Sequence, residues 1–385
     1  MDTAVATDGP RISSFNLTNF GKLPIKLYTW ASWEKTRVPY SGESEGYLAH
    51  LKPVAVDFLN LVTSAYSSKQ INLPEVERNH DAGFAFLYGD ENEAKQKTVG
   101  LEMFLFRKKE NWADNTMVDS YGFDVDISSF ALGYAPNKIP SENCISCNQG
   151  LRVAGIEANL RAASKSKEEY ISMVSNNIPE KMLLPELHQQ FTTKTNTHPL
   201  SIAKRPGGPE VVAVIDTSFD QIPLKTIIWN SYLDIMISKS ISRLKESVEF
   251  EQNERLLHWF YGADDLNKNH DSGISFLYGY VNKAKQKVIG VGLVLFQKTK
   301  RWSDNPMVDA RVIELAVTDD MAEPKKIPGQ DGIMCNAEMR IAGEMSALRD
   351  RTASLQEFVS TPITIPADLL SSQMRRERTE RIKVS

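Results

Sequence analysis

Asn79-His80-Asp81-Ala82-Gly83 returns later in the chain as Asn269-His270-Asp271-Ser272-Gly273. Phe86-Leu87-Tyr88-Gly89 returns as Phe276-Leu277-Tyr278-Gly279, and Ala94-Lys95-Gln96-Lys97 as Ala284-Lys285-Gln286-Lys287. Trp112-Ala113-Asp114-Asn115-Thr116-Met117-Val118-Asp119 returns as Trp302-Ser303-Asp304-Asn305-Pro306-Met307-Val308-Asp309. The offset is 190 throughout, and 23 of 41 positions between 79–119 and 269–309 are identical. Beyond this block the offset becomes 188: Cys147-Asn148, Arg152, Ala154 and Gly155 correspond to Cys335-Asn336, Arg340, Ala342 and Gly343. Upstream, Leu23-Pro24-Ile25-Lys26 with Trp30 matches Ile222-Pro223-Leu224-Lys225 with Trp229 more faintly. A period this long exceeds any solenoid unit, so the pattern predicts a tandem duplication of one whole domain. The first copy is expected over 1–190 and the second over 210–385. Residues 191–209, rich in Thr, Pro and Gly, read as the linker.

Each copy reads as α+β. Leu51, Ala55, Phe58, Leu59, Val62 and Tyr66 fall at helical spacing, as do Ile237, Ile241, Leu244 and Val248. Three strands are expected after each helix, near 83–89, 98–107 and 123–127 and near 273–280, 287–297 and 313–317. Phe123, Val125 and Ile127 alternate with Asp124 and Asp126. Val288–Phe296 is apolar on both faces and is expected to be covered on both. Short links between these strands predict an antiparallel meander with packed helices, and the two copies are expected to pair as a pseudo-dimer. An amphipathic stretch closes each copy at 168–190 and 355–383.

The chain has 385 residues, 41% hydrophobic and 24% charged, which suits ordinary globular cores and argues against general disorder. A net charge of −4 argues against long electrostatic contact with nucleic acid. No run of 18 apolar residues predicts a transmembrane helix, so no membrane partner is expected. Met1-Asp2-Thr3-Ala4 lacks the basic and apolar segments of a secretory signal, and three cysteines fit a reducing compartment, so a cytoplasmic location is expected.

Candidate chemistry gathers on the shared polar residues. Asn-His-Asp-x-Gly serves structurally as a strand-entry turn, with glycine at positive φ, or chemically through His80 and His270 as general bases. Cys147 and Cys335 each precede a helical run, where a thiol is activated, and His80 with Asp81 and Cys147 would then form a nucleophilic site. Arg152 and Arg340 sit among small and apolar residues, which calls for a buried carboxylate such as Asp119 or Asp309, or for an anionic ligand. Cys144, Glu102, Asp124 and Asp126 of the first copy fall where the second carries Gly332, Gly292, Glu314 and Ala316, so polar-ligand recognition is expected in the first copy. No metal site and no cofactor motif is read: Cys144-Ile145-Ser146-Cys147 has no second pair, and no phosphate-cradling loop or Gly-x-Ser-x-Gly elbow occurs.

The leading expectation is a non-catalytic protein that binds a small molecule or a protein partner, or assembles, using the groove between its two copies, with homo-oligomers open. An enzyme of secondary or peptide metabolism with a Cys/His/Asp site mainly in the first copy is the alternative. A nucleic-acid-associated or coat-like protein comes third.

Overall fold

The computed structural model describes residues 11–31, 72–91, 97–126, 147–175, 177–185, 187–188, 191, 209–219, 221–230, 267–281, 287–316 and 335–376. The helices expected at 51–66 and 237–248, most of the expected linker, Cys144, Gly332 and the end of the last amphipathic stretch lie outside these residues. The chain divides into two compact units, Met1–Cys144 with Ile156–Ser201, and Ile145–Gly155 with Ile202–Ser385.

The first unit holds β1 (Arg11–Phe20), β2 (Leu23–Ala31), helix α1 (Leu73–Asn79), β3 (His80–Glu91), β4 (Lys97–Arg107) and β5 (Val118–Asp126). The strands form one sheet in the order β1-β2-β3-β4-β5. Helix α2 (Asn148–Ala163), helix α3 (Lys167–Ser172) and a 3-10 turn at Glu180–Met182 follow. By the division above, α2 contributes its start to the second unit and its end to the first. Phe84 and Phe86 of β3, Phe104 and Phe106 of β4, and Tyr28 of β2 project from one sheet face and are buried. Phe84 stacks on Phe104 with centroids 4.8 Å apart. The opposite face is aliphatic, with Ile25, Leu27, Leu87, Leu101, Met103 and Leu105 all buried. Burying each such side chain contributes about 1.5–3 kcal/mol, so both faces stabilise the sheet.

The second unit repeats the plan with β6 (Glu210–Phe219), β7 (Ile222–Asn230), β8 (His270–Val281), β9 (Lys287–Gln297) and β10 (Val308–Ala316) in the order β10-β9-β8-β7-β6. Helix α4 (Asn336–Arg351), helix α5 (Leu355–Ser360) and a turn at Ala367–Leu369 follow. Even the irregularities coincide: register shifts fall at Ile12/Ser14 and Val211/Ala213, and again at His80/Ala82 and His270/Ser272. Leu293 to Phe296 of β9 are buried on both faces, as its apolar run predicts.

Three features differ from the sequence reading. The sheets are mixed, because β2 pairs with β3 in parallel from Ile25↔Gly83 to Thr29↔Leu87, and β7 with β8 from Leu224↔Gly273 to Ile228↔Leu277. A parallel pair needs a long crossover, and residues 32–79 and 231–269 supply one in each case. Two strands per sheet are additional: β2 and β7 lie in the region recognised only as a faint repeat, and β1 and β6 precede it. Finally, Asn-His-Asp-x-Gly is not a turn with positive-φ glycine: Asn79 ends α1, His80 to Gly83 open β3 as His270 to Gly273 open β8, and Gly83 and Gly273 have ordinary φ. The glycine is there for clearance. A Cβ on Gly273 would stand 2.5 Å from the Val294 carbonyl oxygen, and one on Gly83 would collide likewise with that of Phe104. Among the described residues no helix is long and apolar enough to cross a membrane.

Candidate functional site

The sheet and helix of each unit are joined by the shared polar residues. The His80 ring closes α1: Nδ1 lies 2.8 Å from the Val76 carbonyl oxygen, four residues back. Nε2 lies 2.7 Å from Asp119 Oδ2 on β5, and Arg107 donates to both oxygens of that carboxylate at 2.6 Å. Burial pushes the Asp119 carboxyl up, but the bonds from His80 and Arg107 outweigh it and hold the group down at about 2. In the second unit His270 Nε2 lies 2.6 Å from Asp309, and Gln297 takes the place of Arg107 with a 3.0 Å bond to the same oxygen. His80 is therefore directed at a carboxylate, not at a thiol.

Two arginines that the sequence reading passed over tie the motifs together. Arg161, near the end of α2, is buried with its guanidinium carbon 3.3 Å from the centroid of the Trp112 ring. It also donates to the Trp112 carbonyl, and Nη2 lies 3.8 Å from Asp81. Arg349, at the same place in α4, stands 3.3 Å over Trp302 and grips Asp271 with bonds of 2.6 and 3.1 Å. Ser272 accepts a further bond from Arg349 at 3.0 Å, where the first unit has Ala82. Both tryptophans are half-buried, and their indole N–H groups donate to Ser164 and Thr352. A desolvated arginine stacked on an aromatic face contributes about 2 kcal/mol, and the ion pair adds direction. Asp81 is held less tightly than Asp271. Its Oδ1 is buried without a partner, and burial, partly offset by Arg161, raises its carboxyl above the ordinary range.

A second cluster belongs to the first unit alone. Lys26 of β2 and Glu157 of α2 form an ion pair of 3.1 Å with both side chains fully buried. The Tyr28 hydroxyl donates to the same carboxylate, as does that of Tyr170 at 2.8 Å. The Lys26 ammonium lies 4.1 Å from the centroid of Tyr170. Burial lowers the Lys26 ammonium, against the pull of Glu157, and burial next to that carboxylate pushes both phenols well above their ordinary range. The corresponding residues of the second unit are Ile227, Met345 and Phe358, all buried and apolar. Its lysine, Lys225, is also buried but bonds the exposed Asp216 directly opposite it in register at 2.7 Å and the Val359 carbonyl. Lys26 faces Leu17 across β1, which offers no acceptor, and so it reaches inward.

The other expected residues fall as follows. Cys147 and Cys335 stand immediately before α2 and α4, as expected, and neither forms a disulfide among the described residues. Cys147 is buried, and its sulfur accepts from the Gly150 N–H at 3.3 Å, so it serves there as a helix cap. Cys147 groups with the second unit, whereas His80 and Asp81 belong to the first. Arg152 and Arg340 do pair with carboxylates, although with other ones than Asp119 and Asp309. Arg152 bonds Asp350, which Asn148 also reaches at 2.8 Å, and Arg340 grips Asp368 with two bonds of 2.8 and 2.7 Å. Asp124 and Asp126 occupy β5 opposite Gly100 and Thr98. Among the described residues no three His, Cys, Asp or Glu side chains gather as a metal set. Comparison of the chain with protein-family models, with curated proteins and with solved structures finds no match.

Proposed function

We propose that the chain is a tandem duplication working as a pseudo-dimer, and that it is a non-catalytic binding or assembly protein. The observation that carries this reading is the repeated clamp. His80 and His270, Asp119 and Asp309, Arg161 and Arg349, and Trp112 and Trp302 make the same bonds in each unit, between the same elements. The residue types that most resemble catalytic groups are thus occupied in holding helix to sheet, and their repetition follows from a repeated fold. Partners of protein or small-molecule kind, self-association included, belong to this reading, as does a cytoplasmic location, which the low count of three cysteines supports.

The experiment has two parts. His80→Gln and His270→Gln should each lower the melting temperature of the full chain by several degrees; unchanged melting in both would show that the motif serves something other than the fold. Sedimentation of the wild-type chain over a wide concentration range should show association, and a strictly monomeric mass would remove the self-assembly part.

The buried Lys26–Glu157 cluster favours a second reading, in which special chemistry resides in the first copy. In that case polar-ligand recognition centres on His80, Asp81, Asp124 and Asp126 of the first unit. The raised Asp81 carboxyl is its best support.

A further inference from the structure

The clamp that fixes a helix on its sheet is nearly the same in both units, and this creates a pairing problem. Arg161 and Arg349 each need a tryptophan face and an aspartate, and either sheet offers both. Helix α4 therefore carries the group that the first sheet accepts, and α2 the group that the second accepts. Nothing in the clamp itself tells the helices apart.

We propose that Lys26, Tyr28, Glu157 and Tyr170 form a pairing key that admits α2 with α3 to the first sheet and refuses α4 with α5. The inference rests on the duplication reading above. With α4 on the first sheet, Met345 would stand where Glu157 accepts three bonds. Lys26 would then be a fully buried ammonium without its carboxylate, and the Tyr28 hydroxyl would lose its acceptor. With α2 on the second sheet, Glu157 would face Ile227 in place of Tyr28, next to a lysine already held by Asp216 of its own sheet. A buried charge without its partner is heavily penalised, whereas an apolar set in the same volume is tolerated. A buried ion pair discriminates through this difference even where it adds little net stability. The second unit shows that the fold accommodates the apolar set, because Ile227, Met345 and Phe358 are buried there. The charges of the first unit are therefore dispensable for packing and informative for pairing. The nearby strand residue completes the device: Leu17 denies Lys26 the outward acceptor that Asp216 gives Lys225.

The test exchanges the sets in the full-length chain. The variant L17D/Y28I/E157M/Y170F gives the first unit the apolar residues and the outward acceptor of the second, and D216L/I227Y/M345E/F358Y gives the second unit the key. Each abolishes the distinction. Both variants and the wild type are unfolded in urea, refolded by dilution and separated by size-exclusion chromatography and native mass spectrometry. Wild type should return as one species. Each variant should regain its circular-dichroism signal while placing a several-fold larger share of protein in a second, misdocked or exchanged species. Refolding of either variant with wild-type fidelity overturns the key and leaves the duplication standing. Failure of both variants to fold overturns it as well, because the two sets are then not exchangeable, and it leaves the repeated clamp untouched.

Discussion

Replacing Glu157 by methionine, the residue its counterpart helix carries, strands three donors at once. Lys26 loses its carboxylate at zero exposure, and the hydroxyls of Tyr28 and Tyr170 lose their acceptor. Breaking a buried ion pair from one side costs about 3–5 kcal/mol, and each stranded hydroxyl adds roughly 1 kcal/mol. The lysine limits the ionic part by giving up its proton. Its ordinary value is 10.5, and at about 1.4 kcal/mol per unit, neutralising it near pH 7 costs roughly 5 kcal/mol at most. The expected loss is therefore about 5–7 kcal/mol from the first unit. The sign of the pH dependence follows. In the variant the folded chain binds the Lys26 proton less tightly than the unfolded chain does. Stability then rises with pH between the lowered folded value and the unfolded 10.5, by up to about 1.4 kcal/mol per pH unit. Urea denaturation followed by tryptophan fluorescence, at several pH values from roughly 6 to 9, measures both effects. The double variant Lys26→Met with Glu157→Met should recover most of the loss, since a matched apolar pair replaces a buried ionic one. A loss under about 1 kcal/mol in the single variant, or one that does not change with pH, would refute the reasoning.

Asp119→Asn should remove an acid-sensitive contribution of roughly 2 kcal/mol; wild type has it above the unfolded value near 4 and loses it as pH falls through about 2, so acid titration of the two proteins should diverge in that window. Arg349→Lys should cost about 2–3 kcal/mol and Arg161→Lys less, because Asp271 and Ser272 are bonded closely by Arg349 while Asp81 stands 3.8 Å from Arg161; equal losses in chemical denaturation would contradict the difference in geometry. Gly273→Ala should lower stability by about 1–3 kcal/mol through the clash with the Val294 carbonyl, and a neutral result in thermal melting would show that the strand can shift.

The repeated block revealed β3 to β5 and β8 to β10 because their apolar residues alternate or run together over full strands. The first hairpin was hidden for a physical reason. In β1, Ser13, Ser14, Asn16, Thr18 and Asn19 dilute the apolar pattern, and β2 carries a lysine in its middle that looks like a surface residue. Lys26 is buried only because a glutamate 131 positions away meets it, and a one-dimensional reading cannot see such a partner. Arg161 and Arg349 were more accessible: they share the 188 offset with Arg152 and Arg340, nine residues on, in the same helix. Their role was missed because a terminal arginine on a helix usually faces water. The ion pairs of Arg152 and Arg340 followed from their apolar neighbours, but choosing Asp350 and Asp368 over Asp119 and Asp309 required the fold.

The parallel seam in each sheet also sets an order of events for the nascent chain. The pair β1–β2 closes across two residues, and β3–β4–β5 closes through short links, so both can form within their own neighbourhood. The seam between Leu27 and Ala85 joins parts far apart in sequence, and such non-local pairing is the slow step in sheet formation. Until β3 has left the ribosome, β2 presents an open edge carrying Ile25, Leu27, Tyr28 and Trp30 to whatever is near. The same wait recurs for β7 and β8. The vulnerable interval in the life of this protein thus comes during its synthesis, once for each sheet, and ends when the seam closes.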